Sequence, residues 1–308
     1  MNYRHAYHAG NFADVLKHAT LVGLLEALTV KQTPLCYFDT HAGSGSYELT
    51  GPQARATGEA ASGIRPLLEA QQLPSSLHVY LNLVRSLNAA PNSGGALSTY
   101  PGSPLIAASL LREQDRLVLS ELQSDEAAAL RDLFATDKRV GVHKRNGYEA
   151  LPAMLPPAER RGLVLMDPPF EAQGEEFDTI LTCLQKSYAR WPTGVFALWY
   201  PIKLHETVAR FHRKVEAAGI PKVLIAELCL HADDTALRLN GCGMLLINPP
   251  YRFEKTLESI LQSLAHHLKQ GRYGRTTLRW LAGEQKGTPG PRPKRPGIRP
   301  SPRPPSKR

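Results

Sequence analysis

The chain has 308 residues, 42% of them apolar, which is enough to bury a full core in one large domain or in a domain with an insertion. No apolar run could span a bilayer and the start, MNYRHAYHAG, has no signal-peptide core, so a cytoplasmic protein without a membrane partner is expected. The formal charge of +9 is local: residues 285–308 hold eight Lys/Arg, eight Pro and no acid, and without them 29 basic residues face 28 acidic ones.

From the N-terminus, Tyr3, Arg4, His5, Tyr7 and His8 make an aromatic and basic arm. Asn11 reads as a helix N-cap, with Asp14 in the first turn where it suits the helix dipole. Val15, Ala19, Val22 and Leu25 follow at helical spacing and predict one buried stripe. His18 sits on that helix, and its type and spacing alone assign it no role. Leu35–Phe38 is a strand, followed by Asp39-Thr40-His41-Ala42-Gly43-Ser44-Gly45 and an expected helix, the strand–glycine-loop–helix transition of a doubly wound sheet. Glu48 stands where a dinucleotide fingerprint has its third glycine, which favours a ligand without a pyrophosphate.

Residues 50–100 interrupt the alternation of strand and helix. Their best pattern is helical, with Leu77, Tyr80, Leu81, Val84 and Leu87 on one face, and they are expected to form a small helical insertion. Pro101-Gly102-Ser103-Pro104 predicts a sharp turn before a helix through Leu111. Leu117–Ser120 is the next strand and ends in Glu121, an acid placed to accept from ribose hydroxyls. A helix over 125–134 leads to a strand at Val140–His143, and Asn146-Gly147 turns the chain at its end.

Leu163–Met166 is a short, fully apolar strand stopped by Asp167-Pro168-Pro169-Phe170. Consecutive prolines cannot continue a ladder and hold the preceding residues extended. A carboxylate, backbone carbonyls and an aromatic ring are thereby fixed at the carboxyl end of a buried strand. Such a set suits an exocyclic amino group on a flat base: Asp167 and the Pro168 carbonyl accept its hydrogens, and Phe170 stacks. The tetrad resembles the catalytic motif of amino-directed, S-adenosylmethionine-dependent methyltransferases.

Further strands are expected at Gly194–Trp199, Lys222–Leu230 and Gly241–Ile247, with helices over 177–188 and 203–218. The elements predict an α/β fold with a mainly parallel seven-stranded sheet and the helical insertion, and the resemblance of the tetrad implies that it is a Rossmann-like class I methyltransferase. The last strand ends in a second tetrad, Asn248-Pro249-Pro250-Tyr251, a rival for the catalytic role. Order along the chain favours Asp167, which follows the fourth strand. Asn248–Tyr251 is expected to be a strand-ending turn, placed where it could border the substrate site. The expected division is 1–49 for the arm, first helix, first strand and glycine loop, 50–100 for the insertion, 101–282 for the rest of the methyltransferase domain and 283–308 for a disordered tail. Cys36, Cys183, Cys229 and Cys242 form no C-x-x-C pair, which argues against zinc and disulfides. They are expected to be buried.

Taken together, YRHAYHAGNFADVLKH, FDTHAGSGSYEL, YPGSPLIAASLLREQD, RGLVLMDPPF, ALWYPI and GMLLINPPY resemble the RlmJ family of bacterial large-subunit ribosomal RNA methyltransferases over roughly residues 1–282. The resemblance implies methylation of adenine N6 in 23S ribosomal RNA, S-adenosylmethionine as cofactor, no metal, and a monomer. It implies a catalytic Asp167 that also faces the cofactor. It implies cofactor contacts at His18, His41, Ser103, Glu121, Asn146 and Gly147, and substrate contacts at Tyr3 and Phe170. Phe170 replaces a tyrosine common in relatives, and Asn146 replaces an expected acid. The competing classes are a DNA adenine methyltransferase, a protein-glutamine methyltransferase acting through Asn248–Tyr251, and a non-catalytic nucleic-acid-binding or DNA-uptake protein.

Overall fold

The computed structural model describes residues 5–89, 97–170, 173–233 and 239–283; Tyr3 and the tail beyond Gly283 lie outside them. Asn11 caps α1 (Phe12–Thr29) as expected, its side chain accepting from the backbone N–H groups of Ala13 and Asp14. The expected single stripe on α1 is corrected, because every residue from Phe12 to Leu25 is buried. The cause is tertiary: one side of the helix lies on the sheet and other helices cover the rest.

The chain then forms β1 (Cys36–Asp39), but no helix follows the glycine loop directly. A short strand β2 (Ser46–Glu48) comes instead, then α2 (Pro52–Thr57), α3 (Ile64–Glu69) and α4 (Ser75–Ser86). Strand β3 (Thr99–Pro101) returns to pair antiparallel with β2, and α5 (Ser103–Leu110) starts at once. The Gly102 N–H donates to the Gly45 carbonyl at 2.8 Å. The helix that belongs to the glycine loop is therefore α5, and the segment closed by the β2–β3 pair separates the two in sequence. Leu77, Tyr80, Leu81 and Val84 of α4 point inward and join the same apolar cluster as α1.

The remaining elements alternate up to β8, after which β9 comes next: β4 (Arg116–Glu121), α6 (Ser124–Leu133), β5 (Val140–Lys144), α7 (Gly147–Met154), β6 (Gly162–Met166), α8 (Gln173–Arg190), β7 (Val195–Ile202), α9 (His205–Ala217), β8 (Val223–Cys229), β9 (Gly241–Ile247), α10 (Phe253–His267) and β10 (Arg275–Ala282). The main sheet has eight strands rather than seven, in the order β10-β8-β9-β7-β6-β1-β4-β5. The extra strand, β10, lies on the edge and pairs only with β8. Its sequence RTTLRWLA exposes Arg275, Arg279 and Trp280, so the apolar alternation that reveals a half-buried strand is weak there.

Side-chain alternation explains the layers. Tyr37 of β1 and Leu163 and Leu165 of β6 face one cluster, with α1, α5, α6 and α10. Phe38, Val164 and Met166 face the other, under α7, α8 and α9. Each fully buried side chain of this kind contributes roughly 2 kcal/mol. Strands β5, β4, β1, β6 and β7 are parallel, while β9 runs antiparallel to both β7 and β8. All four cysteines are buried, as expected.

Candidate active site

Strand pairing β4–β1–β6 brings the ends of three strands together where the connections change direction, the crevice in which open α/β sheets bind ligands. At the end of β1 the loop turns sharply through Gly43, at φ +60°. The Gly43 N–H donates to a Glu121 carboxylate oxygen at 2.9 Å, and Gln123 N–H donates to the other oxygen at 2.7 Å. Glu121 is thus fixed in direction, and burial pushes its pKa up against those hydrogen bonds. Asn146 caps α7 by accepting from the Tyr148 N–H. A Cβ on Gly147 would lie 2.0 Å from the Thr40 carbonyl oxygen, so only glycine allows the start of α7 to lie against the β1 loop.

Asp167 leaves β6 at the same edge. Its carboxylate contacts the Lys17 ammonium, which also contacts Asp14 at 2.8 Å. Asp14 further accepts from the Gly10 N–H and pairs with His5 at 3.0 Å. Burial by itself would lower the Lys17 pKa, but the Asp14 and Asp167 charges and hydrogen bonds raise it well above the ordinary lysine value. Burial likewise works against the Asp14 carboxylate, which His5 and Lys17 nevertheless hold well below the usual range. Sequence reasoning gave Asp14 only a dipole role and passed over Lys17. The available signal was an Asp-x-x-Lys pair inside an otherwise apolar helix, since residues three apart share a helix face.

Two cavities meet at Asp167. One of about 240 Å³ is lined by all seven residues expected at the cofactor: His18, His41, Ser103, Glu121, Asn146, Gly147 and Asp167. Tyr148 and Glu176, which hydrogen-bond each other, also line it and carried no recognisable sequence signal. The second, about 680 Å³, is lined by Pro168, Pro169, Phe170 and Trp199 on one side and by the start of α1 on the other. His5, Lys17, Asp167 and Pro169 line both. Phe170 is 5% exposed and held edge-to-face by Phe177 and Trp199.

Within the smaller cavity His18 and His41 are favoured in the neutral form. Burial pushes His41 down to about 4, outweighing the nearby Asp167 charge, and pushes His18 well below its ordinary value with help from Lys17. His18 Nδ1 bonds the Tyr100 hydroxyl at 2.8 Å, while its buried Nε2 has no partner among the described residues. Beneath the cavity Asp39 accepts from the Tyr37 and Ser103 hydroxyls, both at 2.7 Å. Burial still raises it to about 6.

The second tetrad is elsewhere, and the expectation that it borders the substrate site is corrected. Ile247 pairs with Phe196 at the amino end of β7, because β9 runs antiparallel. Asn248 follows at φ +53°, donating to the Pro192 and Gly194 carbonyls, and Tyr251 is 87% exposed. None of its residues lines either cavity.

Renumbered from β1 without the β2–β3 pair and β10, the sheet reads 3-2-1-4-5-7-6 with strand 7 reversed. With a glycine loop and an acid at the ends of strands 1 and 2 and Asp-Pro-Pro-Phe after strand 4, these features define a Rossmann-like class I methyltransferase. The model of the family described as ribosomal RNA large subunit methyltransferase D, RlmJ, matches residues 32–282, and the chain belongs to that family. It is 40% identical over 284 residues to ribosomal RNA large subunit methyltransferase J of Escherichia coli (strain K12), covering 92% of this chain and 100% of that protein. The Haemophilus influenzae protein of the same name gives the same identity and coverage. A crystal structure of a Legionella pneumophila protein superposes with a TM-score of 0.81 at 37% identity, covering 88% of this chain and 98% of that one.

Proposed function

We propose that the protein methylates the exocyclic N6 of one adenine in 23S ribosomal RNA with S-adenosylmethionine. The observation that carries this reading is the position of Asp167 on the wall shared by two cavities. The donor set of the smaller cavity fits the cofactor: Glu121 for ribose hydroxyls, the Asn146-Gly147 cap beside an adenine, and His18 Nε2, a buried nitrogen that still lacks a partner. His41 and Ser103 complete it, and their neutrality suits a cofactor whose sulfonium is cationic. When bound, S-adenosylmethionine supplies an activated methyl group.

The chain's own residues do the rest. An adenine extruded from its stack enters the larger cavity, where Phe170 provides a ring beside the base. Asp167 and the Pro168 carbonyl accept the amino hydrogens, which orients the nitrogen lone pair and stabilises positive charge developing there. The proton leaves after transfer, so Asp167 need not remove it beforehand. Lys17 holds Asp167 in place without blocking either cavity. Tyr3 is proposed as a further RNA contact, and residues 50–100 as an insertion beside the cofactor.

The test is methyl transfer to rRNA fragments from a strain lacking the gene, with fragment mass spectrometry to find the methylated adenine. Asp167→Ala should lower turnover by about 10²-fold or more while cofactor binding in calorimetry changes only a few-fold. Equal loss of both would make Asp167 chiefly a cofactor contact.

A further inference from the structure

The larger cavity lies at the carboxyl edge of the sheet, and four cations lie on the two segments that reach it, one after β7 and one leading into β10. Lys203, the first residue after β7, lines the cavity itself and is half-buried. Opposite, Gln270 lines it from the loop between α10 and β10, whose sequence over 269–275 is KQGRYGR. Lys269 and Arg272 on that loop and Arg275, the first residue of β10, are exposed, and Tyr273 anchors the loop by packing against an apolar cluster. Arg275 pairs in register with Cys229, two residues before His231, another lining residue.

Among the described residues none of these four cations is in an ion pair, whereas three arginines at the amino edge are held by acids: Arg112 by Asp115 at 2.8 Å, Arg116 by Glu159 at 2.9 Å and Arg139 by Asp137 at 2.6 Å. The acids that line the larger cavity are already engaged. Asp14 and Asp167 contact Lys17, and Glu59 pairs with His8 at 2.9 Å and accepts from Asn11. The rim is therefore mainly cationic among the described residues; Asp233, which accepts from the His205 N–H at 3.1 Å, is the nearby acid and is in no ion pair with these four.

We infer that Lys203 and the loop 269–275 form a docking surface for the phosphodiester backbone on either side of the target adenine, Lys203 taking the phosphate nearest the extruded base. The inference rests on the RNA reading above and adds the surface. An extruded nucleotide leaves its phosphates at the mouth of the pocket that takes its base. Cations that lose no internal partner on binding are suited to that position, and each phosphate they neutralise releases counterions.

The test neutralises the rim with K203Q/K269Q/R272Q/R275Q and uses K31Q/K138Q, two exposed lysines at the amino edge, as the control. Binding of a 23S rRNA fragment is measured over a range of salt, alongside cofactor calorimetry and turnover at saturating RNA. The rim variant should bind the fragment about tenfold or more weakly at 0.1 M salt, with the slope of log K against log salt reduced by about three. Cofactor affinity should stay within twofold, and the control should match wild type. An unchanged RNA affinity and slope overturns the inference, as does a parallel loss of cofactor binding and melting temperature, which would assign these residues to the fold. If the wild type bound but never methylated RNA, the reading above would fail while the binding comparison still decided the surface.

Discussion

Lys17 and Asp167 lie 150 residues apart in sequence, and their side chains meet on the wall between the two cavities. Lys17 comes from the buried first helix and Asp167 from the proline corner after β6, so the contact ties the N-terminal segment to the candidate catalytic carboxylate. Asp14 and His5 continue the network on the other side of the ammonium.

Replacing Lys17 with Met leaves two carboxylates close together, one of them Asp14 at 3% exposure, without the central cation. Breaking a buried pair from one side costs about 3 kcal/mol or more. Urea unfolding of K17M should show a loss of that size, and D14N/K17M should recover part of it because only the half-buried Asp167 carboxylate then remains without its cation. A K17M midpoint equal to wild type would show that the network adds nothing to stability.

At Gly147 an added Cβ would overlap the Thr40 carbonyl. Gly147→Ala must push α7 away from the β1 loop, which moves the Asn146 cap and Tyr148 relative to Glu121. Calorimetry should show cofactor affinity falling by about tenfold, or about 1.4 kcal/mol. Wild-type affinity in G147A would mean that this close approach does not shape the cavity.

Asp39 supplies a pH signature. Its folded value of about 6 lies above its ordinary 3.8, so the folded state binds the proton more tightly than the unfolded chain does. The associated stability is full below pH 3.8 and is lost as pH rises through about 6. Relative to wild type, Asp39→Asn should therefore gain stability between pH 4 and pH 7, by up to about 3 kcal/mol. Paired thermal melts across that range check it, and a difference independent of pH would contradict the burial argument.

The second proline tetrad gives a negative control for chemistry. Asn248→Ala removes two hydrogen bonds to the Pro192 and Gly194 carbonyls and strains a left-handed backbone. It should lower stability by about 1–2 kcal/mol and leave kcat unchanged. Loss of turnover in a folded N248A variant would revive the glutamine-directed alternative.

Much of this was legible in the sequence because it is encoded locally. The Asn11 cap needs only the next few residues. The β6 strand and its Asp-Pro-Pro stop follow from an apolar run and proline geometry, and the α4 helix follows from spacing. The joint motifs carried the family. Two structural expectations failed for one shared reason, that contact partners far along the chain changed the local outcome. The α1 helix is buried on all sides although its pattern shows one stripe, because the sheet and several helices enclose it. The chain after Gly45 forms a strand because Thr99–Pro101 returns to pair with it.

By itself, then, the sequence determined the class of fold, the proline-fixed acid and the loop beside it, since these depend on backbone restrictions and short-range periodicity. Only the tertiary structure decided that Lys17 serves Asp167, that Ser103 reaches Asp39 across 64 residues, and that Asn248–Tyr251 faces the opposite edge. Those outcomes depend on strand order and strand direction. A reversed β9 moves an identical-looking turn to the far side of the sheet, and no local pattern records which way a strand will run.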